Sequence, residues 1–238
     1  MILHKKIVGI IGGLGPESTI ELYKWIFKYT IQKGAKRDQD HLESIISIIP
    51  STPDRDLAII QGKNTPLNEL VRSAKRLETA GSEFIVIACN AAHFFIKEIE
   101  NSVNIPTLNM MKIVAEAVLR FNIEKVGLLA SIGTLHGKLY DKELLKFNIE
   151  IIELDKTFQN KYVDEAIFGK DGIKEGNVFG KPIKLIELAT TKFIKSGAEA
   201  LIIGCTEISL IIDKINLSIP IIDSIKELAK YTVEFAYQ

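Results

Sequence analysis

The sequence predicts an α/β protein of two similar halves, each a parallel sheet with helices on both faces. Three observations carry that expectation. Short β-branched runs end on Gly, Pro or small polar residues and lead into segments with helical apolar spacing. Four such strand-and-turn units recur in one order, at offsets of 114 to 118 residues. The chain has two cysteines, Cys89 and Cys205, and both fall at matching places in the repeat, each closing an apolar run.

Ile7 to Ile11 reads as the first strand, and it ends in Gly12-Gly13-Leu14-Gly15-Pro16. Pro16 suits the first turn of a helix and Glu17 suits the positive end of its dipole. Ile20, Tyr23, Trp25, Ile26 and Phe27 follow at roughly helical spacing. Lys33 to His41 is a charged loop, and Ile45 to Ile49 is a second strand stopped by Pro50-Ser51-Thr52-Pro53. One helix is expected next, with Leu67, Leu70, Val71, Ala74 and Leu77 on one face and Gly81 at its end. The run Phe84 to Ala88 reaches Cys89, a short helix follows, and Ile105-Pro106-Thr107-Leu108 reads as a last strand.

The second half repeats these units. Val126-Gly127-Leu128-Leu129 answers Val8-Gly9-Ile10-Ile11, Gly133-Thr134 answers Gly15-Pro16, and Ile149 to Leu154 answers the second strand. Leu201-Ile202-Ile203-Gly204-Cys205-Thr206 answers the Cys89 segment, and Ile219-Pro220-Ile221-Ile222 answers Ile105 to Leu108. The expected division is 1–108 plus 215–238 for the first half and 109–214 for the second. The last helix, Ser224 to Tyr237, is assigned to the first half.

At 238 residues the chain can bury one large core or two small ones. The formal net charge is zero, so nothing points to nucleic acid or a membrane surface. Met1 to Lys6 leads straight into a strand-like run, with no apolar stretch long enough for a signal core or a bilayer span. Two cysteines do not make a secreted disulfide framework, so a cytoplasmic protein with reduced thiols is expected.

Both cysteines sit at the carboxyl end of an expected buried strand, where open α/β sheets hold ligands. A strand-to-helix turn offers free N–H groups and partial positive charge. A thiol there is expected to have a lowered pKa, and a carboxylate can be held by the same N–H groups. Two such turns facing across a cleft suit a two-base reaction: one thiolate removes a proton from carbon and the opposite thiol delivers one to the other face. Against this stands the ordinary reading of a buried cysteine as a small core residue. A zinc site of Cys89, His93 and Cys205 has no CxxC and no evident fourth ligand. The glycine loop lacks a complete dinucleotide fingerprint, since position 18 is serine, and it reads instead as a turn that approaches a carboxylate. Arg55 follows the second strand and can reach the same mouth, where an arginine holds a carboxylate bidentately. From the residues alone, Arg55 and Lys174 read equally well as solvated surface cations, and His93 as a residue that satisfies its helix.

Taken together, Gly12 to Pro16 with Ser18-Thr19, Lys36 to His41, Pro53-Asp54-Arg55, Cys89-Asn90-Ala91-Ala92-His93, Gly133-Thr134, Gly172-Ile173-Lys174 and Gly204-Cys205-Thr206-Glu207 resemble the aspartate/glutamate racemase family, in its cofactor-independent aspartate racemase branch. The resemblance spans essentially the whole chain. It implies two Rossmann-like halves related by a pseudo-two-fold axis, with the active site in the cleft between them. It implies Cys89 and Cys205 as the acid–base pair, with no pyridoxal phosphate, metal or other cofactor. The substrate would be a small acidic amino acid, aspartate first and glutamate next, bound by a homodimer. Its α-carboxylate would lie at the Asn90 and Thr206 turns, its side-chain carboxylate at Arg55 and Lys174, and Gly13, Leu14, Gly15, Ser51, Ala91 and Thr134 would line the pocket. Where such enzymes carry threonine, methionine and glutamine, this chain has Ala91, Leu14 and Ser51, which bears on side-chain specificity rather than on two-base chemistry. The same superfamily includes maleate isomerases and decarboxylases. A silent binder of acidic metabolites, with packing cysteines, is the alternative from a different class.

Overall fold

A computed structural model describes residues 5–238; the expectation for Met1 to His4 lies outside them. In order the elements are β1 (Val8–Gly12), α1 (Pro16–Gln32), β2 (Ser44–Ile48), α2 (Arg55–Gln61), α3 (Leu67–Thr79), β3 (Phe84–Ile87), α4 (Ile96–Glu100) and α5 (Met110–Val118). The second half continues with β4 (Lys125–Ala130), α6 (Ile132–His136), α7 (Asp141–Leu145), β5 (Glu150–Ile152), α8 (Lys156–Phe158), α9 (Glu165–Phe168), α10 (Lys181–Lys195), β6 (Ala200–Gly204), β7 (Ile221–Asp223) and α11 (Ser224–Ala236).

All strand pairs are parallel. The first sheet runs β2-β1-β3 and the second β5-β4-β6-β7. The register aligns Val8 with Ser44 and Phe84 in the first sheet, and Val126 with Ile151 and Ala200 in the second. The repeat read from the sequence is therefore a repeat of strand order. The expected strand at Ile105 to Leu108 shrinks to one bridge, between Ile85 and Thr107. Pro106 has no N–H to extend a ladder, and only its carbonyl and the Leu108 N–H pair with Ile85, both at 2.8 Å. β3, buried along its whole length, still gains a partner on that side.

The single helix expected after Pro53 is two helices. Asp54 caps α2, its carboxylate accepting from the Leu57 N–H at 2.8 Å. Gly62 ends α2 in the left-handed region, and α3 restarts after Pro66. Alternation along β1 and β2 sends Val8 and Ile10 to the face covered by α1, and Ile11 and Ile45 to the face covered by α3. The last helix packs on α1 and also on α5. The Lys6 N–H donates to the Ala236 carbonyl at 2.9 Å, and the Phe84 and Phe235 rings meet tilted by 58°, their centroids 4.9 Å apart. α5 in turn packs on α7 and β7, so each half sends one helix across to the other. No helix among the described residues is long and apolar enough to cross a membrane.

Candidate active site

The loops at the carboxyl ends of β1, β3, β4 and β6 meet between the two sheets. β3 and β6 are buried along their whole length, so their ends deliver Cys89 and Cys205 into the interior, 8% and 5% exposed. Both thiols are free. Both line one narrow inner cavity, together with Leu14, Arg55, Asn90, Ala91, Thr134, Lys174 and Thr206. A wider outer cavity of about 350 Å³ is lined by Gly13, Leu14, Gly15, Arg55 and Lys174. Leu14, Arg55, Lys174 and Glu207 border both, so they stand at the passage from solvent to the thiols. Of the expected pocket residues, Ser51 alone lines neither cavity; it is exposed on the turn after β2.

Arg55 is buried, and its guanidinium lies against the Cys89 thiol. It donates to the Pro53 carbonyl at 3.2 Å and to the Leu14 carbonyl. Its Nε is buried without a hydrogen-bond partner among the described residues. Lys174 donates to Glu207 Oε1 at 2.6 Å. Glu207 Oε2 accepts from the Cys205 thiol and from the Thr206 hydroxyl, each at 3.2 Å.

The expected lowering of the thiol pKa does not occur. Burial pushes Cys89 up, and the Arg55 charge pulls it only part of the way back. The Ala92 N–H does point at the Cys89 sulfur, as the turn argument requires, but it is outweighed. Cys205 is pushed well above the usual thiol range by burial and then by the Glu207 carboxylate. Turn dipoles are modest, and desolvation of a fully buried thiolate exceeds them. The pair is nevertheless asymmetric. Cys89 faces a cation, which offsets part of the burial effect, and Cys205 donates to an anion, which adds to it.

Asn90 is held from both sides. Its Oδ1 accepts from the Tyr140 hydroxyl and its Nδ2 donates to Ser224 Oγ at 3.0 Å. That network ties the Cys89 turn to the start of α7 and to the start of α11. His93 is a packing residue, not a ligand. Its Nδ1 faces the Cys89 carbonyl at 2.8 Å, its Nε2 accepts from the Met110 N–H at 3.2 Å, and burial depresses its pKa to about 4. Asp56 Oδ1 accepts from the Gly133 N–H at 2.8 Å, and burial raises its pKa. A Cβ at Gly133 would sit 2.3 Å from that oxygen, so only glycine allows the approach.

Asp56, Ser131, Phe168 and Glu207 also line the inner cavity and were not singled out from the sequence. Glu207 carried a signal, since it lies two residues beyond Cys205. Asp56 directly follows Arg55. Phe168 carried none.

Two parallel sheets, ordered β2-β1-β3 and β5-β4-β6-β7, thus bring a buried cysteine from the matching strand end of each to one cavity. The family model for Asp/Glu/Hydantoin racemase matches residues 11–232, and the chain belongs to that family, which places it among the isomerases. It is 31% identical over 241 residues to the broad specificity amino-acid racemase RacX of Bacillus subtilis, covering 98% of this chain and 100% of the relative. The structure of Picrophilus torridus aspartate racemase superposes with a TM-score of 0.82 at 31% identity, over 97% of this chain and 94% of that one. An aspartate racemase homologue from Pyrococcus horikoshii gives 0.78 at 28%, over 98% and 100%.

Proposed function

We propose that the protein racemises an amino acid at Cα with Cys89 and Cys205 as its two acid–base groups, and that aspartate is the substrate, with glutamate and a broader set next. The observation that carries this reading is the convergence of two buried thiols on one cavity, each at the turn after a matching strand. One thiolate takes the Cα proton and becomes a thiol. The electron pair of the broken C–H bond moves onto the α-carboxylate. The opposite thiol gives its proton to the other face and becomes the thiolate, so the configuration is inverted and the enzyme is left with its protons exchanged. Because Cys205 donates to Glu207 and Cys89 faces Arg55, the form that begins a turnover is Cys89 thiolate with Cys205 thiol, a minor form near neutral pH because burial pushes both thiols up.

The turns at Asn90 and Thr206 hold the α-carboxylate, and the Gly13-Leu14-Gly15 loop, Ala91 and Thr134 close around the substrate. The free Nε of Arg55 and the ammonium of Lys174 supply the charge for a second carboxylate. No cofactor enters this scheme. The organisation assigned is 1–108 plus 215–238 and 109–214, with the second crossing moved past β7, since Ile221–Asp223 pairs with β6 in the second sheet; the protein is assigned to the cytoplasm, as a homodimer. Exposed Ile20, Tyr23, Phe27 and Ile31 on α1, with Ile46 and Ile48 of the edge strand β2 on the sheet face that α1 covers, favour self-association.

The test is incubation with a panel of L- and D-amino acids in D₂O. Deuterium at Cα with inversion, greatest for aspartate, is expected. A shift in melting temperature without exchange would identify a binder instead. Conversion of maleate without exchange at amino-acid Cα would identify a dicarboxylate isomerase.

A further inference from the structure

We propose that Glu207 is a specificity-determining residue: it is an internal carboxylate that occupies Lys174 and so opens the site to amino acids whose side chains carry no charge. The inference rests on the two-thiol reading above and concerns the side-chain end of the same pocket.

Glu207 is 7% exposed and belongs to both cavities. One oxygen takes the Lys174 ammonium at 2.6 Å, and the other takes the Cys205 thiol and the Thr206 hydroxyl at 3.2 Å. The surroundings are shaped to admit it. A Cβ at Gly15 would lie 2.7 Å from Glu207 Oε1, so the loop after β1 meets the carboxylate with backbone alone. Burial is the largest influence against its charge, yet the Lys174 ammonium together with the hydrogen bonds from Cys205 and the backbone overcomes it and lowers the pKa. Burial is likewise the largest influence against the Lys174 charge, and Glu207 together with the two cysteines overcomes it. The pair is thus charge-matched before any substrate arrives.

An amino acid with an uncharged side chain leaves this pair intact. A substrate with a second carboxylate must draw Lys174 away from Glu207. It then leaves two buried carboxylates to share the Lys174 ammonium and the Arg55 guanidinium, where like charges are costly. Lys174 therefore rewards an acidic side chain less than an unpaired lysine would, and the preference across side chains flattens.

The experiment is Glu207→Gln, which keeps the shape and frees the ammonium. The ratio of kcat/KM for L-aspartate over L-alanine is expected to rise about tenfold or more, the gain lying in KM for aspartate, because a charge-assisted contact becomes available to the substrate alone. If this variant turns over too slowly to measure, equilibrium binding of L-aspartate and L-alanine by calorimetry reads the same shift. The double variant Glu207→Gln/Lys174→Met is expected to lose that gain. An aspartate-to-alanine ratio that stays level or falls in Glu207→Gln overturns the inference and leaves the two-thiol reading standing. A wild-type chain that neither racemises nor binds either amino acid overturns both.

Discussion

Arg55→Gln removes the guanidinium that lies against Cys89. In the folded chain, burial pushes the Cys89 thiol up and Arg55 is the first influence that pulls it back. Glutamine keeps a donor for the Leu14 or Pro53 carbonyl but carries no charge. A hydrogen bond to a charged group contributes about 1.5–3 kcal/mol, which makes the thiolate roughly 10- to 150-fold rarer at a fixed neutral pH. Racemisation should fall by that factor for aspartate and for alanine alike, since both need the base, and somewhat further for aspartate, which loses a carboxylate contact as well. The pH dependence gives the sign. A thiol whose pKa has moved up is short of its base form below that pKa, so the deficit is largest near neutrality and closes as the pH rises. The assay is racemisation followed by circular dichroism across the neutral to alkaline range. Because the two enantiomers are equal in free energy, kcat/KM must fall equally in both directions, which checks the data internally. A loss of the same size at every pH would refute the reasoning and confine Arg55 to substrate binding or scaffold.

Tyr140→Phe removes the hydroxyl that Asn90 Oδ1 accepts from and leaves that oxygen buried. An unsatisfied buried acceptor costs about 1–3 kcal/mol, and at this chain length each kcal/mol lowers Tm by about 2–4 °C. Calorimetry should read the drop, with kcat falling as the Cys89 turn loosens; an unchanged Tm would contradict the Asn90 network. His93 is buried neutral, with a pKa of about 4 against about 6.5 in the unfolded chain. The unfolded state therefore binds more protons in that window, and the wild type loses roughly 3 kcal/mol of stability as pH falls from 6.5 to 4. Asp56, Asp164 and Asp223, whose pKa values burial raises, act in the opposite sense, so the quantity to compare is the slope against that of His93→Asn. Urea unfolding should give a flatter slope for the variant; equal slopes would contradict the assignment.

Much of the fold was legible because the repeat is written twice. The two buried strands before Cys89 and Cys205 are uninterrupted apolar runs, and parallel strands buried on both faces look like that. The split of α2 from α3 was missed because Gly62 and Pro66 lie in a stretch where apolar spacing resumes at once. The fourth strand of the first sheet was overread because Ile105, Thr107 and Leu108 have β-branched or apolar character while Pro106 removes the ladder donor. At the site, Cys89, Cys205, Arg55 and Lys174 line one cavity. Ser51 does not, since the turn after β2 carries it outward. Ionisation was the least legible. A sequence shows which turn holds a thiol, but not that Glu207 folds back onto Cys205 or that desolvation outweighs the turn dipole.

The central claim is that Cys89 and Cys205 work on opposite faces of one carbon. Cys89→Ser and Cys205→Ser, each incubated with L- and D-aspartate in D₂O and read by proton NMR at Cα, test it most directly. Each variant should fail to racemise. Each should exchange the Cα proton of only one enantiomer with retention, and the two variants should exchange opposite enantiomers. Racemisation at the wild-type rate by either variant, or exchange of the same enantiomer by both, would contradict the two-thiol account.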